Sequence, residues 1–343
     1  SVNGRRILVT KHAIGVVGMI TPWNFPSSML ARKLGPALAV GCTVVAKPAP
    51  DTPYSGLAWA AQAEAAGYPP GVVNILPQTM MEREEVRKIT FTGSTEVGRK
   101  LLRGAADSVK KVSMELGGNA PFVVFDDAEL DAAVDGAMAS KYRNAGQTCV
   151  CANRIYVQSG IHDAFVEKLV EKSNTLKVGN GMDDGVNQGP LINDAALKKV
   201  ETLLQDAVEK GAKIEAGGAR HALGGTFFQP TVLSGATKDM AFAKAEIFGP
   251  LAPVFKFETE EEAIRLANDT IYGLAAYCYT NDIGRAFRLN EGLEYGMIGS
   301  NAGVITSPEA PFGGSKQSGL GKEGGSQGLE DYLDPKYMCI DGI

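Results

Sequence analysis

Residues 13–47 read AIGVVGMITPWNFPSSMLARKLGPALAVGCTVVAK, and the fold class is decided there. Ala13–Ile20 is a nearly unbroken run of apolar residues and glycine, suited to a strand covered on both faces. The turn Thr21–Pro26 closes it, Ser27 is expected to cap a helix running to about Val40, and Thr43–Lys47 reads as a second buried strand. Strands joined through a helix lie parallel, because a tight hairpin cannot connect them. The alternation continues through a break at Pro48-Ala49-Pro50, an Ala-rich helix at Tyr54–Ala66 stopped by Gly67, and strands at Val72–Leu76 and Val86–Phe91. Thr92-Gly93-Ser94 then opens a helix to about Ala105, and a strand follows at Val109–Met114. This pattern implies an α/β fold with a doubly wound parallel sheet. Such sheets bind ligands beyond the carboxyl ends of their strands, here the loops Trp23–Pro26, Lys47–Thr52 and Thr92–Thr95.

Beyond a domain change expected at Leu116-Gly117-Gly118, the alternation resumes. Strands are expected at Phe122–Phe125, Ile155–Gln158, Ala275–Tyr279, Met297–Ser300 and Lys336–Ile340, and helices at Leu130–Asn144, Asp163–Leu176 and Ala195–Lys210. The 343 residues suffice for two domains, and 44% hydrophobic with 21% charged residues is ordinary for a globular chain. A net charge of −5 and no basic run argue against nucleic acid or an anionic membrane as partner. The most apolar stretch, Leu34–Ala46, is interrupted by Gly35, Pro36 and Gly41, so no membrane span is expected. Five scattered cysteines make a disulfide framework improbable and point to a reducing compartment, the cytoplasm, or the mitochondrial matrix in a eukaryote. The chain starts at Ser1 and reads as a fragment.

Chemistry concentrates in Arg143–Arg154, RNAGQTCVCANR. Cys149 leaves a helix through a Gly-containing loop, as a covalent nucleophile does, although an unpaired cysteine is as often a small buried hydrophobe. His12, His162 and His221 stand alone, so a carboxylate must do any proton work. Glu115, at a strand end in apolar company, is the candidate, since desolvation raises a carboxylate into the range of a base; the alternative is a plain strand terminus. Asn24, between Pro22 and Pro26, offers an amide to an oxyanion, or is simply a turn residue. The Thr92-Gly93-Ser94 turn and Lys47 suit an anion such as a pyrophosphate. No metal-ligand spacing is present, and no GxGxxG follows an early strand.

Taken together, seven ordered segments resemble the aldehyde dehydrogenase superfamily: ITPWNFP (20–26), VAKPAPDTP (45–53), FTGSTEVG (91–98), MELGGNAP (114–121), GQTCVCANR (146–154), EIFGP (246–250) and PFGGSKQSGLGKEG (311–324). The resemblance implies two doubly wound parallel-sheet domains plus a small β element for oligomerisation. Its divisions are a strand at 1–11, a partial NAD(P)-binding domain at 12–117, a catalytic domain at 118–317, and a return segment with a C-terminal strand at 318–343. It implies that Cys149 attacks an aldehyde, that Asn24 and the Cys149 backbone hold the oxyanion, and that Glu115 activates the water that hydrolyses the thioester. Lys33 and Glu323 match proton-relay positions, and Trp23, Lys47, Pro50, Gly93, Ser94, Glu246 and Phe248 match cofactor contacts.

Finer features resemble the branch of that family acting on succinate semialdehyde: the paired thiols Cys149 and Cys151, with Arg32 and Arg143. Both arginines are implied to read the distal carboxylate of the aldehyde, beside Thr306 and Ser307; otherwise they are a solvated helix face and a charge at a helix C-terminus. Pro50 cannot repel a 2′-phosphate as a carboxylate would, so NADP is slightly favoured over NAD. Cys151 is a redox partner of Cys149 or inert packing. Two departures stand out. The large portion that the family carries before Arg5 is absent, leaving apolar surface uncovered, and the segment near 77–87 is shortened. The expected activity is NAD(P)-dependent oxidation of succinate semialdehyde by a homo-dimer or tetramer. The rivals are another carboxylated aldehyde such as glutarate semialdehyde, or an idle assembly subunit.

Overall fold

The apolar run at residues 13–20 is divided by Gly15, whose φ of 109° is open to glycine at little cost. Before it lies β1 (Arg6–Ala13) and after it β2 (Val16–Ile20). The following helix, α1 (Pro26–Ala39), starts at Pro26 with Phe25 at its N-cap and no side-chain cap. The expected cap at Ser27 is therefore corrected. Proline presets the helical φ of a first turn and lacks an N–H that would go unused there, while the Ser27 hydroxyl accepts from the Trp59 indole at 3.2 Å. Next come β3 (Thr43–Lys47), α2 (Pro53–Ala65), β4 (Val73–Ile75), β5 (Val86–Thr92), α3 (Thr95–Ala106) and β6 (Lys111–Glu115).

This computed structural model describes residues 4–76 and 80–342. The chain forms two units, one of Ser1–Leu116, Ser307–Gly313 and Gly319–Ile343, the other of Gly117–Thr306 and Gly314–Ser318. In the first, the strand order is β6-β5-β2-β3-β4, all parallel, with Gly319–Leu320 antiparallel on the outer edge of β6. Alternate strand residues feed the two faces. Val17, Met19, Val44 and Ala46 pack with Leu30 and Leu34 of α1, whereas Ile89, Phe91, Met114 and Leu116 form a second cluster. Of the shortened segment, residues 77–79 lie outside the described residues; Met80 is buried in the second cluster, and Met80–Glu85 forms turns rather than a helix. Helix α2 buries only Gly56 and exposes Tyr54 and Leu57.

The second unit runs β7 (Ala120–Val124), α4 (Leu130–Tyr142), β8 (Ala152–Gln158), α5 (His162–Ser173), α6 (Asp194–Glu209), β9 (Lys213–Ala216), β10 (Thr231–Ser234), β11 (Leu251–Phe257), α7 (Glu260–Asn268), β12 (Tyr272–Gly273), β13 (Ala275–Tyr279), α8 (Ile283–Gly292), β14 (Met297–Ser300) and β15 (Ser315–Lys316). Its sheet order is β14-β13-β7-β8-β11-β10-β9, parallel except for β9. Arg154 is 1% exposed with no carboxylate partner among the described residues; its guanidinium donates to the Asn119, Leu266 and Ala267 carbonyls and to the Tyr295 hydroxyl at 2.7–2.9 Å. The partial negative charge of the last carbonyls of α7 stands in for a counter-ion.

After β16 (Gly319–Leu320) and α9 (Gln327–Glu330), β17 (Leu333–Ile340) pairs antiparallel with β1, from Arg6 opposite Ile340 to Ala13 opposite Leu333. This two-stranded ribbon leaves Ile7, Leu8, Val9, Tyr337 and Met338 exposed. Among the described residues no helix is long and apolar enough to cross a membrane.

Candidate active site

In the first unit the register aligns the strand ends: Ile20 sits opposite Lys47 and Phe91, and Thr92 opposite Glu115. One carboxyl edge therefore carries the half-buried Trp23 and Asn24, then Lys47 and Pro50, then Gly93 and Ser94, and finally Glu115. Crossovers leave β2 and β5 in opposite directions, so the crevice between these strands is the switch point at which a doubly wound sheet takes a ligand. The Ser94 hydroxyl caps α3 by accepting from the Val97 N–H at 3.3 Å, and the Gly93 N–H donates to the Glu115 carbonyl at 3.0 Å. A helix N-terminus and a half-buried lysine on one edge suit the phosphates of an anionic dinucleotide.

Glu115 ends β6 at 3% exposure, and its Oε2 is buried without a hydrogen-bond partner. Burial first, and the Glu323 carboxylate second, push its pKa well above the ordinary carboxylate range, against Lys33, Lys322 and Arg32. Lys33, wholly buried, pairs with Glu323, whose second oxygen is also buried and unpartnered. Arg32 lies with its guanidinium carbon 4.2 Å from the centre of the Phe312 ring, and its NH1 is buried with no acceptor. The first unit thus holds a carboxylate kept basic, a buried ion pair beside it, and a guanidinium with an unsatisfied donor.

In the second unit the approach to Cys149 is a strained turn. Asn144, Ala145 and Gly146 have φ of 52°, 55° and 74°, a left-handed run costing roughly 1 kcal/mol at each non-glycine residue. Surroundings hold it there. The Gln147 amide donates to the Asn144 and Pro190 carbonyls and accepts from the Ile192 N–H, and the Tyr277 hydroxyl donates to the Val150 carbonyl at 2.6 Å. A Cβ at Gly146 would lie 2.2 Å from the Gly249 carbonyl oxygen, and one at Gly118 would lie 2.2 Å from that of Cys149. Both glycines are required by close approach. Cys149 is a half-buried thiol outside any disulfide. Cys151 is free and buried against the Lys141 and Ala152 carbonyls, with burial pushing its pKa up and the buried Lys141 ammonium pulling it down.

Glu246 accepts from the Gly118 N–H at 2.8 Å, and burial pushes its pKa up to about 7 against that bond and the charges of Lys199 and Lys141. Phe248, two residues on, has φ of 54°. Gly118, Cys149 and Glu246 precede β7, β8 and β11, so this cluster sits at the amino ends of its strands. The carboxyl-end rule used for the first unit does not locate it. Arg143 and Thr306 line one water-sized pocket with Ser140, Thr148 and Tyr277. Ser307 bonds locally instead, donating to the Glu309 carboxylate. Sequence reading missed Lys141, Tyr277 and the buried amides Asn119 and Asn153; the segments MELGGNAP and GQTCVCANR contain both amides, but nothing local marks their side chains as partners.

Residues 1–338 match the model of the aldehyde dehydrogenase family. The chain is 57% identical over 347 residues to the mitochondrial succinate-semialdehyde dehydrogenase of Arabidopsis thaliana, covering 99% of this chain and 66% of that protein. It is 58% identical over 346 residues to the glutarate-semialdehyde dehydrogenase of Pseudomonas aeruginosa, covering 99% of this chain and 72% of that protein. The crystal structure of an NADP-dependent enzyme of Escherichia coli superposes with a TM-score of 0.97 at 55% identity, over 98% of this chain and 72% of that one. The chain therefore spans about two thirds to seven tenths of the length of the relatives it matches. With sequence and backbone in agreement along nearly all its residues, the chain belongs to the aldehyde dehydrogenase family.

Proposed function

We propose that the chain oxidises succinate semialdehyde to succinate with NAD(P) as the hydride acceptor. The observation that carries this reading is Cys149, a thiol outside any disulfide that stays partly open just after a left-handed turn. Its sulfur, as the thiolate left when the thiol proton passes to water, bonds to the aldehyde carbon as the carbonyl electron pair moves onto oxygen, where the Asn24 amide and the Cys149 N–H stabilise it. A bound nicotinamide supplies the acceptor for the hydride that leaves this adduct. Glu115, held basic by burial, then takes a proton from the water that cleaves the resulting thioester, and the neighbouring Glu323–Lys33 pair accepts that proton onward. Trp23, Lys47, Pro50, Gly93 and Ser94 hold the dinucleotide on one side; Glu246 and Phe248 hold its nicotinamide half. Pro50 is exposed and uncharged, so NADP is taken as well as NAD, and slightly better.

Arg143 and Thr306, in one pocket, and Arg32, with its buried free donor, bind the distal carboxylate. Ser307 is assigned to the same end of the substrate. The 58% identity to a glutarate-semialdehyde dehydrogenase favours the five-carbon aldehyde as a second substrate. The exposed β1–β17 ribbon is where copies of the chain associate. The test is NAD(P)H formation with succinate semialdehyde, with glutarate semialdehyde, and with a neutral aldehyde of similar length. Cys149→Ala abolishes all three, whereas Arg143→Ala costs the carboxylated pair on the order of a hundredfold more than the neutral one. Equal losses for Arg143→Ala remove the substrate assignment, and an inactive parent that binds no cofactor supports the idle subunit instead.

A further inference from the structure

We propose that Asn153 is a positioning residue that clamps the loop carrying Glu246 and thereby sets how tightly the chain holds its nicotinamide cofactor. The proposal rests on the reading of Glu246 as a cofactor contact. Asn153 is the second residue of β8 and is 3% exposed. Its side-chain oxygen accepts from the Ile247 N–H at 2.7 Å, and its amide nitrogen donates to the Ala245 carbonyl at 3.1 Å. The residue gripped from both sides is Glu246. The same nitrogen also donates to the Phe242 carbonyl at 3.2 Å and to the Asn119 side-chain oxygen at 2.6 Å. Asn119, fully buried, donates to the Ala243 carbonyl at 3.0 Å, and its chain neighbour Gly118 gives Glu246 its 2.8 Å hydrogen bond.

The bonds therefore close a ring: Glu246 carboxylate, Gly118, Asn119, Asn153, and back to the backbone on either side of Glu246. Its chemistry specifies the residue type. Carbonyls on one side require a donor and the Ile247 N–H requires an acceptor, so the amide cannot be flipped. Aspartate lacks the donors, and serine is too short to reach both sides. The ring has a consequence that packing alone does not. Phe248 holds a left-handed backbone conformation that persists only where its surroundings over-determine it, and the clamp supplies that constraint one residue away, at Ile247. Without the Asn153 amide, the Ala245 carbonyl and Ile247 N–H lose buried partners, the loop relaxes, and the Glu246 carboxylate leaves the Gly118 amide.

The experiment is a double-mutant cycle in the full chain with Asn153→Ala, Glu246→Ala and the pair. It reads the KM for NAD(P), kcat, the thermal midpoint, and the rate at which iodoacetamide alkylates Cys149 without cofactor. The expected result is a cofactor KM raised about tenfold or more by either single change, with the pair no worse than Glu246→Ala alone. Cys149 alkylation is expected to shift far less than that KM. Asn153→Ser gives a smaller rise and replaces Asn153→Ala, with the same readings, if alanine does not fold. An unchanged KM, losses that multiply in the pair, or an alkylation rate that falls in step with the KM each overturn the clamp. If Asn153→Ala matches the parent while Glu246→Ala does not, only the clamp fails. If Glu246→Ala leaves the cofactor KM unchanged, the assignment of Glu246 fails and the clamp with it.

Discussion

Glu115 shows what burying a carboxylate does to stability. In the unfolded chain its carboxyl titrates near an ordinary ~4.3, whereas burial raises its folded pKa well above that. Between the two values the folded protein keeps a proton that the unfolded chain has released, so this group's effect on stability worsens as pH rises through that window. Glu115→Gln should therefore raise the thermal midpoint at pH 8, with the gain shrinking toward nothing as pH falls to the unfolded value. The same change removes the proposed base. Thioester hydrolysis should slow by ~10²–10⁴-fold while a single burst of NAD(P)H survives, seen by rapid mixing. A burst that disappears with turnover would put Glu115 in an earlier step. This residue was legible in MELGGNAP because a carboxylate at an apolar strand end is unusual; its coupling to Glu323 was not, since the two lie 208 residues apart by numbering (323 − 115).

At the scale of elements, the early strands were readable because both their faces are covered, which leaves a continuous apolar signature in Val16–Ile20 and Thr43–Lys47. The strand β11 was missed for an opposite reason. Pro253 lies inside it, opposite Leu233 of β10, and argues against a central strand, yet pairing with β8 begins only at Val254, so on that side the missing N–H falls before the ladder. Helix α7 was not expected from the sequence; its N-cap is Thr259, whose hydroxyl accepts from the Glu262 N–H at 3.2 Å. Its end depends on Arg154, which no local pattern announces. Arg154→Lys keeps the charge but not the planar fork, so the Asn119 carbonyl, which accepts from two guanidinium nitrogens at 3.2 and 2.9 Å, loses partners, while the Tyr156 and Tyr295 hydroxyls still donate to the Leu266 and Ala267 carbonyls. The expected cost is on the order of 3 kcal/mol, read by denaturant unfolding. A loss below about 0.5 kcal/mol would show that water replaces the fork.

At the scale of the whole molecule, each unit has its own core, but the ribbon of β1 and β17 has little. Two strands alone are marginal in water, and Val9 and Tyr337, directly opposite each other, are 60% and 61% exposed. Association through this ribbon predicts that Val9→Glu with Tyr337→Glu shifts the sedimenting species toward monomer at micromolar concentration. Unchanged sedimentation would move the interface elsewhere.

The amino-acid sequence by itself determined the α/β class and the aldehyde dehydrogenase motifs, and it singled out Cys149, Glu115 and Asn24 as candidates, because each is written in neighbouring residues. Only the tertiary structure decided that Cys149 follows a left-handed turn, that Arg154 closes a helix, and that Asn153 grips the loop of Glu246. Those are hydrogen bonds and close approaches between residues up to 127 positions apart, and a pattern confined to a few consecutive residues carries no trace of them.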